Sequence, residues 1–300
     1  MTDRIGLVGL GQMGLPIAGR ISGAFDLVAY DLSAQRRALA ADLPRTTVTE
    51  DLADVADARR IVLSLPTPAI SRQVLGDLVP RLSAGTVVVE TSTVLPDDVR
   101  DARRILEPAG VGIVDAAVLS GVAQMAQGAA TLLVGGEDED VSRTEDLLAL
   151  IGGGGVLRLG ALGSGMAAKV VNNGVAHAVM VVLVEAFAMA RAEGVALEDV
   201  AAMLLREDGG LQRPLNHRIM QRVAGGDFEG GMPLDAARKD STLALAMAQR
   251  SGIPLFATQA AQTVYDLAVS AGRGREDYSA IAQLWEEWSG RDLRFGDGGR

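Results

Sequence analysis

Two lysines stand in a chain of 300 residues whose other 26 basic positions are all arginine. Lys169 lies in GSGMAAKVVNNG and Lys239 in ARKDSTLALA. Arginine keeps its proton in proteins, whereas burial shifts a lysine pKa and lets the amine exchange one. Asn173 follows Lys169 at a spacing that puts both side chains on one helical face. A lysine within two turns of a helix start is disfavoured as an ammonium by the macrodipole, and burial acts in the same direction. Such an amine can take a hydroxyl proton during an oxidation and return it during a reduction. Asn173 would orient the amine or hydrogen-bond a substrate. Asn172 points elsewhere and reads as structural.

A second constellation opens the chain. GLVGLGQMG places Gly9, Gly11 and Gly14 in the G-x-G-x-x-G pattern, with Leu10, Gln12 and Met13 between them. It closes an expected strand and opens an expected helix, the context in which the pattern has a mechanism. Gly9 permits the tight turn, Gly11 lets backbone N–H groups approach a pyrophosphate, and Gly14 lets helix and strand pack closely. The helix N-terminus adds partial positive charge toward the phosphates. Asp31 ends the next strand, where a carboxylate accepts from both ribose hydroxyls of NAD and repels the 2′-phosphate of NADP. Leu32 offers that phosphate nothing. Arg36 and Arg37 keep NADP possible but are expected on the solvated helix face. NAD is the expected cofactor.

These residues need a frame. RIGLVGL, DLVAYD, RIVLSLP, TVVVETS, GIVDAAV, ATLLVGG and VLRLG are short apolar runs, as expected of strands buried on both faces. Helical stretches alternate with them, which reads as an α/β domain with a doubly wound parallel sheet. A glycine-dense break spans 151–165, and beyond it the apolar period becomes helical. The expected organisation is a dinucleotide-binding domain over 1–162 and an all-helical substrate and dimerisation domain over 163–300. Ser164 is expected to cap a helix running to Gly194. Its window VAHAVMVVLVEAFAMA reads as a buried helix rather than a membrane span. It is also broader in hydrophobicity than one domain's core needs, which points to a homodimer or higher homo-oligomer. Within it, Glu185 is expected to pair with an arginine and His177 to be packed or interfacial. Trp285 and Trp288 are expected in a core or an interface.

Composition excludes other classes. The net charge is −10, which disfavours a nucleic-acid partner. The chain has no cysteine and two histidines, leaving no thiolate site and no histidine cluster for a metal. No signal-peptide pattern opens the chain, so a cytoplasmic protein is expected.

GLVGLGQMG, SLPTP, TSTVLP, GSGMAAKVVNN and KDSTLA occur in that order over nearly the whole length. Together they resemble the β-hydroxyacid dehydrogenase family, which includes 3-hydroxyisobutyrate dehydrogenase and tartronate semialdehyde reductase. The resemblance implies that Lys169 is the catalytic lysine and Asn173 its partner. It places Thr93 beside the nicotinamide and Leu65 and Pro66 in a loop lining the cofactor. Lys239 would contact the cofactor from the helical domain, with Asp240 positioning or capping. One departure stands out. The family reads D-A-P-V-S-G-G where this chain has DAAVLSG. Leu119 then takes the place of the substrate-binding serine, Ser120 that of the first glycine, and Gly121 the second. A one-residue shift would return Ser120 to the serine's task, but the downstream spacing to LLVGG argues against it. A different or more apolar substrate follows, with Val122, Gln124 and Met125 shaping the same wall. The implied reaction is hydride transfer between a nicotinamide and a small 3-hydroxy acid or its semialdehyde. Two rivals remain: imine or other carbonyl reduction on the same fold, and a non-catalytic dinucleotide-binding assembly module. Imine-reducing relatives carry Asp or Tyr at the Lys169 position, and non-catalytic ones lose the lysine.

Overall fold

The computed structural model describes residues 4–296. The chain forms two compact units, Met1–Gly174 and Val175–Arg300.

The first unit is an eight-stranded sheet in the order β3-β2-β1-β4-β5-β6-β7-β8. The strands are β1 (Arg4–Val8), β2 (Asp26–Tyr30), β3 (Thr46–Thr49), β4 (Arg60–Leu63), β5 (Val87–Glu90), β6 (Gly112–Val118), β7 (Thr131–Gly136) and β8 (Gly155–Gly160). Its helices are α1 (Gly14–Ser22), α2 (Ala34–Ala41), α3 (Pro68–Leu78), α4 (Pro96–Leu106), α5 (Val122–Ala126), α6 (Asp138–Ser142) and α7 (Glu145–Ile151). Strands β4, β5 and β6 are buried along their whole length. One face of the sheet buries Ile17 and Ile21 of α1 with Leu147 and Ile151 of α7. The other buries Leu75 of α3 with Leu106 of α4.

The doubly wound fold stands; two details of it are corrected here and one strand is added. The sheet is parallel only through β6; β7 runs antiparallel to β6, and β8 parallel to β7. The link between β6 and β7 holds only the five-residue α5, too little for the crossover a parallel return needs. β8 is not buried on both faces: it ends the sheet, and Val156, Leu157 and Leu159 are exposed. β3, a short and polar edge strand, carries none of the apolar signal by which the other strands are legible.

The long helix α8 (Ser164–Ala192) starts on Asp115 of β6, which is 0 % exposed. Asp115 Oδ1 accepts the Gly163 N–H at 2.7 Å and Oδ2 the Met166 N–H at 2.8 Å. The cap expected of Ser164 therefore comes from a distant strand, and the Ser164 hydroxyl has no hydrogen-bond partner. Burial pushes the Asp115 pKa up, and the N–H bonds pull the other way. A Cβ on Gly135 would come within 2.6 Å of Asp115 Oδ1, and one on Gly165 within 2.9 Å of Oδ2. The first turns of α8 thus pack on the sheet, with Met166 fully buried. For that reason the compact units divide at Gly174, inside α8, rather than before it.

The second unit holds the rest of α8 with α9 (Leu197–Leu205), α10 (Leu234–Arg250), α11 (Phe256–Ser270) and α12 (Ala282–Ser289). Between α9 and α10, residues 206–233 are irregular, with one π-helical turn at Pro214–Ile219. Asp277, fully buried, accepts from the Met232 and Ser279 N–H groups and pairs with Arg218 at 3.1 Å. Glu185 does not pair with an arginine. Its carboxylate accepts from the N–H groups of Ala257 and Thr258 and from the Thr258 hydroxyl, capping α11. The apolar window of α8 is not buried within the chain: Val171, Val175, Met180 and Val184 are exposed. By length and composition α8 alone would suffice to cross a membrane. His177 is exposed. Trp285 and Trp288 are exposed too, with ring centroids 5.3 Å apart.

Burial pushes the Glu185 pKa up, but the N–H groups at the α11 start and the Thr258 hydroxyl outweigh it, and the net shift is downward. The stability Glu185 contributes is therefore present above its unfolded pKa near 4.5 and lost as pH falls through the lower folded value. Glu185→Gln should cost about 1–2 kcal/mol at neutral pH. Chemical denaturation of both proteins from neutral pH downward should show the gap closing with acid.

Candidate active site

The glycine loop joins β1 to α1. Gly9 has φ +97°, and a Cβ there would sit 2.2 Å from the Ser64 carbonyl. A Cβ on Gly14 would sit 2.0 Å from the Gly9 carbonyl, so these two glycines are needed for packing. Gly11 differs: a Cβ there meets nothing within 4 Å. Its bareness serves the groove outside, where backbone must come close to something larger than a side chain allows. That groove has a volume of about 780 Å³ and is bordered by Gly9, Gly11, Gln12, Met13, Asp31, Leu65 and Pro66. A dinucleotide fits this donor set, with its pyrophosphate on the N–H groups at the α1 start and its ribose at Asp31.

Asp31 is already placed for that task. Its Oδ2 accepts the Leu10 N–H at 2.7 Å and its Oδ1 the Ser33 N–H at 2.8 Å, leaving lone pairs facing outward. Arg37 does not lie on the solvated face that the sequence leads one to expect. It donates to the Asp31 and Leu32 carbonyls and to Glu50 at 2.5 Å. Arg36 borders the groove, and Leu32 beside it is 86 % exposed.

The remaining site segments meet around one apolar cluster of Val94, Val99, Ala117, Leu133 and Met166. Val94 follows Thr93; Leu119 and Ala168, the residue before Lys169, pack on the same cluster. Thus 93, 119 and 169, far apart in sequence, are gathered by packing in the first unit. Thr93 is exposed, Lys169 and Asn173 half-buried. Burial lowers the Lys169 pKa, and no ion pair opposes this among the described residues. Asn172 is exposed and donates weakly to Asn173 Oδ1 at 3.5 Å. Leu119 turns its side chain onto the cluster, whereas Ser120 Oγ accepts the Thr131 N–H at 3.0 Å. Gly121 precedes α5 and is exposed. Lys239 lies on α10 in the second unit, exposed and paired with Asp240 at 3.2 Å. Among the described residues no group of three or more His, Asp or Glu side chains is gathered to hold a metal.

One residue at this site escapes a reading from sequence. Glu90 ends β5, is 2 % exposed, and lies next to the Thr91 to Val94 loop. An acidic residue at the end of VVVE looks like any strand terminus; only its burial marks it.

The two kinds of glycine predict opposite failures. Gly11→Val should leave the apo protein folded, by circular dichroism and melting temperature, while NADH affinity drops at least about tenfold, roughly the loss of one well-made contact. Gly14→Ala should destabilise the fold itself, because its new methyl meets backbone.

Comparison with known proteins agrees with this geometry. Residues 4–158 match the NAD binding domain of 6-phosphogluconate dehydrogenase. Residues 163–285 match the domain described as NAD-binding of NADP-dependent 3-hydroxyisobutyrate dehydrogenase. The chain is 29 % identical to 2-(hydroxymethyl)glutarate dehydrogenase of Eubacterium barkeri, over 98 % of both chains. It is 25 % identical to the structure of Mycobacterium tuberculosis 3-hydroxyisobutyrate dehydrogenase with L-serine, covering 95 % of this chain and 99 % of that one, at a TM-score of 0.64. An imine reductase from Pseudomonas sp. superposes with a TM-score of 0.84 at 20 % identity, covering 95 % of this chain and all of that one, which shows the shared fold. With one family model over the sheet and a second over the helices, this chain belongs to the β-hydroxyacid dehydrogenase family, whose members are nicotinamide-dependent oxidoreductases.

Proposed function

We propose that the protein uses NAD to interconvert a small 3-hydroxy acid and its semialdehyde, with Lys169 as the proton carrier. The observation that carries this reading is the placement of Lys169: half-buried, on the second turn of a helix anchored to the sheet, beside the cluster that also holds the Thr93 and 119–121 segments. A bound nicotinamide supplies the hydride chemistry. Lys169, neutral, takes the substrate hydroxyl proton in oxidation, and as an ammonium it returns that proton in reduction. Asn173, one turn on, orients the amine or holds the substrate oxygen. Thr93 lies beside the nicotinamide, and Leu65 and Pro66 border it. Residues 119–121 border the substrate; with the Leu119 side chain taken up by packing, the backbone N–H groups and the Ser120 hydroxyl are what this segment offers a carboxylate. Asp31 favours NAD, and Arg37 is already engaged by Glu50 and by the Asp31 and Leu32 carbonyls; Arg36, which borders the groove, is what an NADP preference would use.

The exposed apolar side of α8 is covered, in this reading, by a second copy of the chain. Val171, Val175 and Val182 lie on one helical face and are all exposed, Met180 and Val184 extend the exposed apolar surface round the helix, and together they are too large a patch to face water.

Lys169→Ala and Lys169→Arg should both cut turnover by about 10²–10⁴-fold while leaving NADH affinity near wild type. Arg retains the charge but cannot release the proton, so an active Arg variant would overturn the assignment. With its pKa below 10.5, Lys169 makes the oxidation rate rise with pH toward a plateau, and the reduction rate fall over the same interval. Initial rates in both directions across pH test the sign. A hydroxy-acid panel with NAD and NADP names the substrate class, and Asp31→Ala should narrow the preference for NAD. Met180→Asp should convert the assembly to monomer, read by sedimentation velocity.

A further inference from the structure

Residues 64–66 after β4 border the dinucleotide groove, and residues 91–94 follow β5, the next strand of the sheet. A single side chain joins them. Ser92 Oγ accepts the Leu65 N–H at 2.8 Å. The Ser92 N–H in turn donates to Glu90 Oε1 at 2.9 Å. Nearby, the Thr91 hydroxyl donates to the Leu63 carbonyl at 2.6 Å, so the strand ends are also stitched. The N–H bond fixes the Glu90 carboxyl beside Ser92, whose hydroxyl, with its oxygen turned to Leu65, has its proton left to give. The buried Ser71 hydroxyl of α3 lines the same small cavity as Glu90.

We propose that Glu90 is a positioning residue: through Ser92 it ties the 91–94 loop to Leu65 on the border of the groove, and its charge state sets how tightly the nicotinamide end of the dinucleotide is held. The proposal rests on the dinucleotide reading of the groove.

The physical argument has two parts. An ionised Glu90 can only accept, so it fixes the Ser92 hydroxyl with its proton inward and its lone pair toward Leu65 N–H. A protonated Glu90, like a Gln in its place, keeps one carbonyl acceptor but adds a donor that competes for the Ser92 oxygen, so the orientation of the Ser92 hydroxyl is no longer fixed. The ionised carboxylate also favours the cationic ring of NAD⁺ over the neutral ring of NADH. Both effects strengthen as pH rises. Burial pushes the Glu90 pKa up to about 7; the Ser92 and Ser71 hydroxyls and the Ser92 N–H draw it down, and Asp98 adds to the rise. The charged groups around it are Arg72 on α3 and Asp98 on α4, themselves paired at 3.4 Å, and Asp115, its register partner on β6. The exchange thus falls in the neutral range. The stability sign is opposite. A folded pKa above the unfolded 4.5 means the fold is favoured below that value, and this advantage is lost as pH rises through about 7. The charged form that serves the cofactor is the one that strains the fold.

The test compares wild type with Glu90→Gln by calorimetric titration of NAD⁺ and NADH, by melting temperature, and by amide exchange at Leu65 in the apo protein. In wild type, NAD⁺ affinity should rise about three- to tenfold between pH of about 6 and 8, and NADH affinity less, since a carboxyl titrating mid-range is at most about tenfold more ionised at each unit step. In Glu90→Gln both affinities should be flat with pH and NAD⁺ affinity lower than wild type at the alkaline end. The apo variant should melt higher than wild type there. The Leu65 amide should exchange faster in the variant, and in wild type faster at the acid end after correction for intrinsic exchange. Ser92→Ala should unprotect Leu65 as well, and serves if the Gln variant fails to fold. Wild-type affinities that do not change with pH, or Leu65 protection equal in all three proteins, would overturn the proposal. If wild type binds neither NAD nor NADP, the dinucleotide reading falls, while the Leu65 exchange still decides whether Glu90 holds the loops.

Discussion

The carboxylate of Asp115 is the constraint from which the site is built. A fully buried charge is costly unless hydrogen bonds repay it, and here the repayment comes from the free N–H groups at the start of α8. One strand end and one helix start thereby become a single rigid joint. Gly135 and Gly165 are bare because the joint leaves no room for a side chain at either place. Lys169 sits one turn beyond the bonded Met166, so its position relative to the sheet is inherited from Asp115.

A second buried carboxyl stands in register with the first. Glu90 and Asp115 are neighbours on β5 and β6, at the end of the sheet where the parallel strands deliver their loops. Ligands of open α/β sheets bind outside the carboxyl ends of the strands, and that is where both groups lie. Asp115 holds the start of the helix that carries Lys169, and Glu90 adjoins the 91–94 loop, which Ser92 ties to Leu65 on the border of the groove. Polar groups buried this deeply leave few alternative arrangements, because each lost bond strands a donor or acceptor away from water.

Much of this was legible from residue types. The glycine loop, Asp31 and the alternation of strands and helices announce a dinucleotide fold, and local chemistry is enough because each signal lies within one turn or strand. Lys169 stood out because its neighbours are written in arginine. The misreadings have one character. Ser164 was the obvious cap, yet Asp115 does the work from β6. Glu185 looked like half of an ion pair, yet it caps α11. Arg37 looked solvated, yet Glu50 and two carbonyls hold it. In each case the residue was right to notice and the partner lay too far along the chain for pattern or spacing to supply.

The sequence by itself determined the family and the cofactor class and singled out Lys169, because these depend on side-chain chemistry and short spacings. Tertiary structure alone decided how those pieces meet. It reversed β7, because the five residues of α5 cannot carry a parallel crossover. It turned Leu119 onto the Val94 and Met166 cluster instead of leaving it a bare substitution in a loop. It placed Glu90, an ordinary strand terminus by sequence, in a dry setting where its charge becomes conditional. Burial is a property of the assembled chain, and burial is what converts a carboxylate or an amine from a solvated charge into a working group.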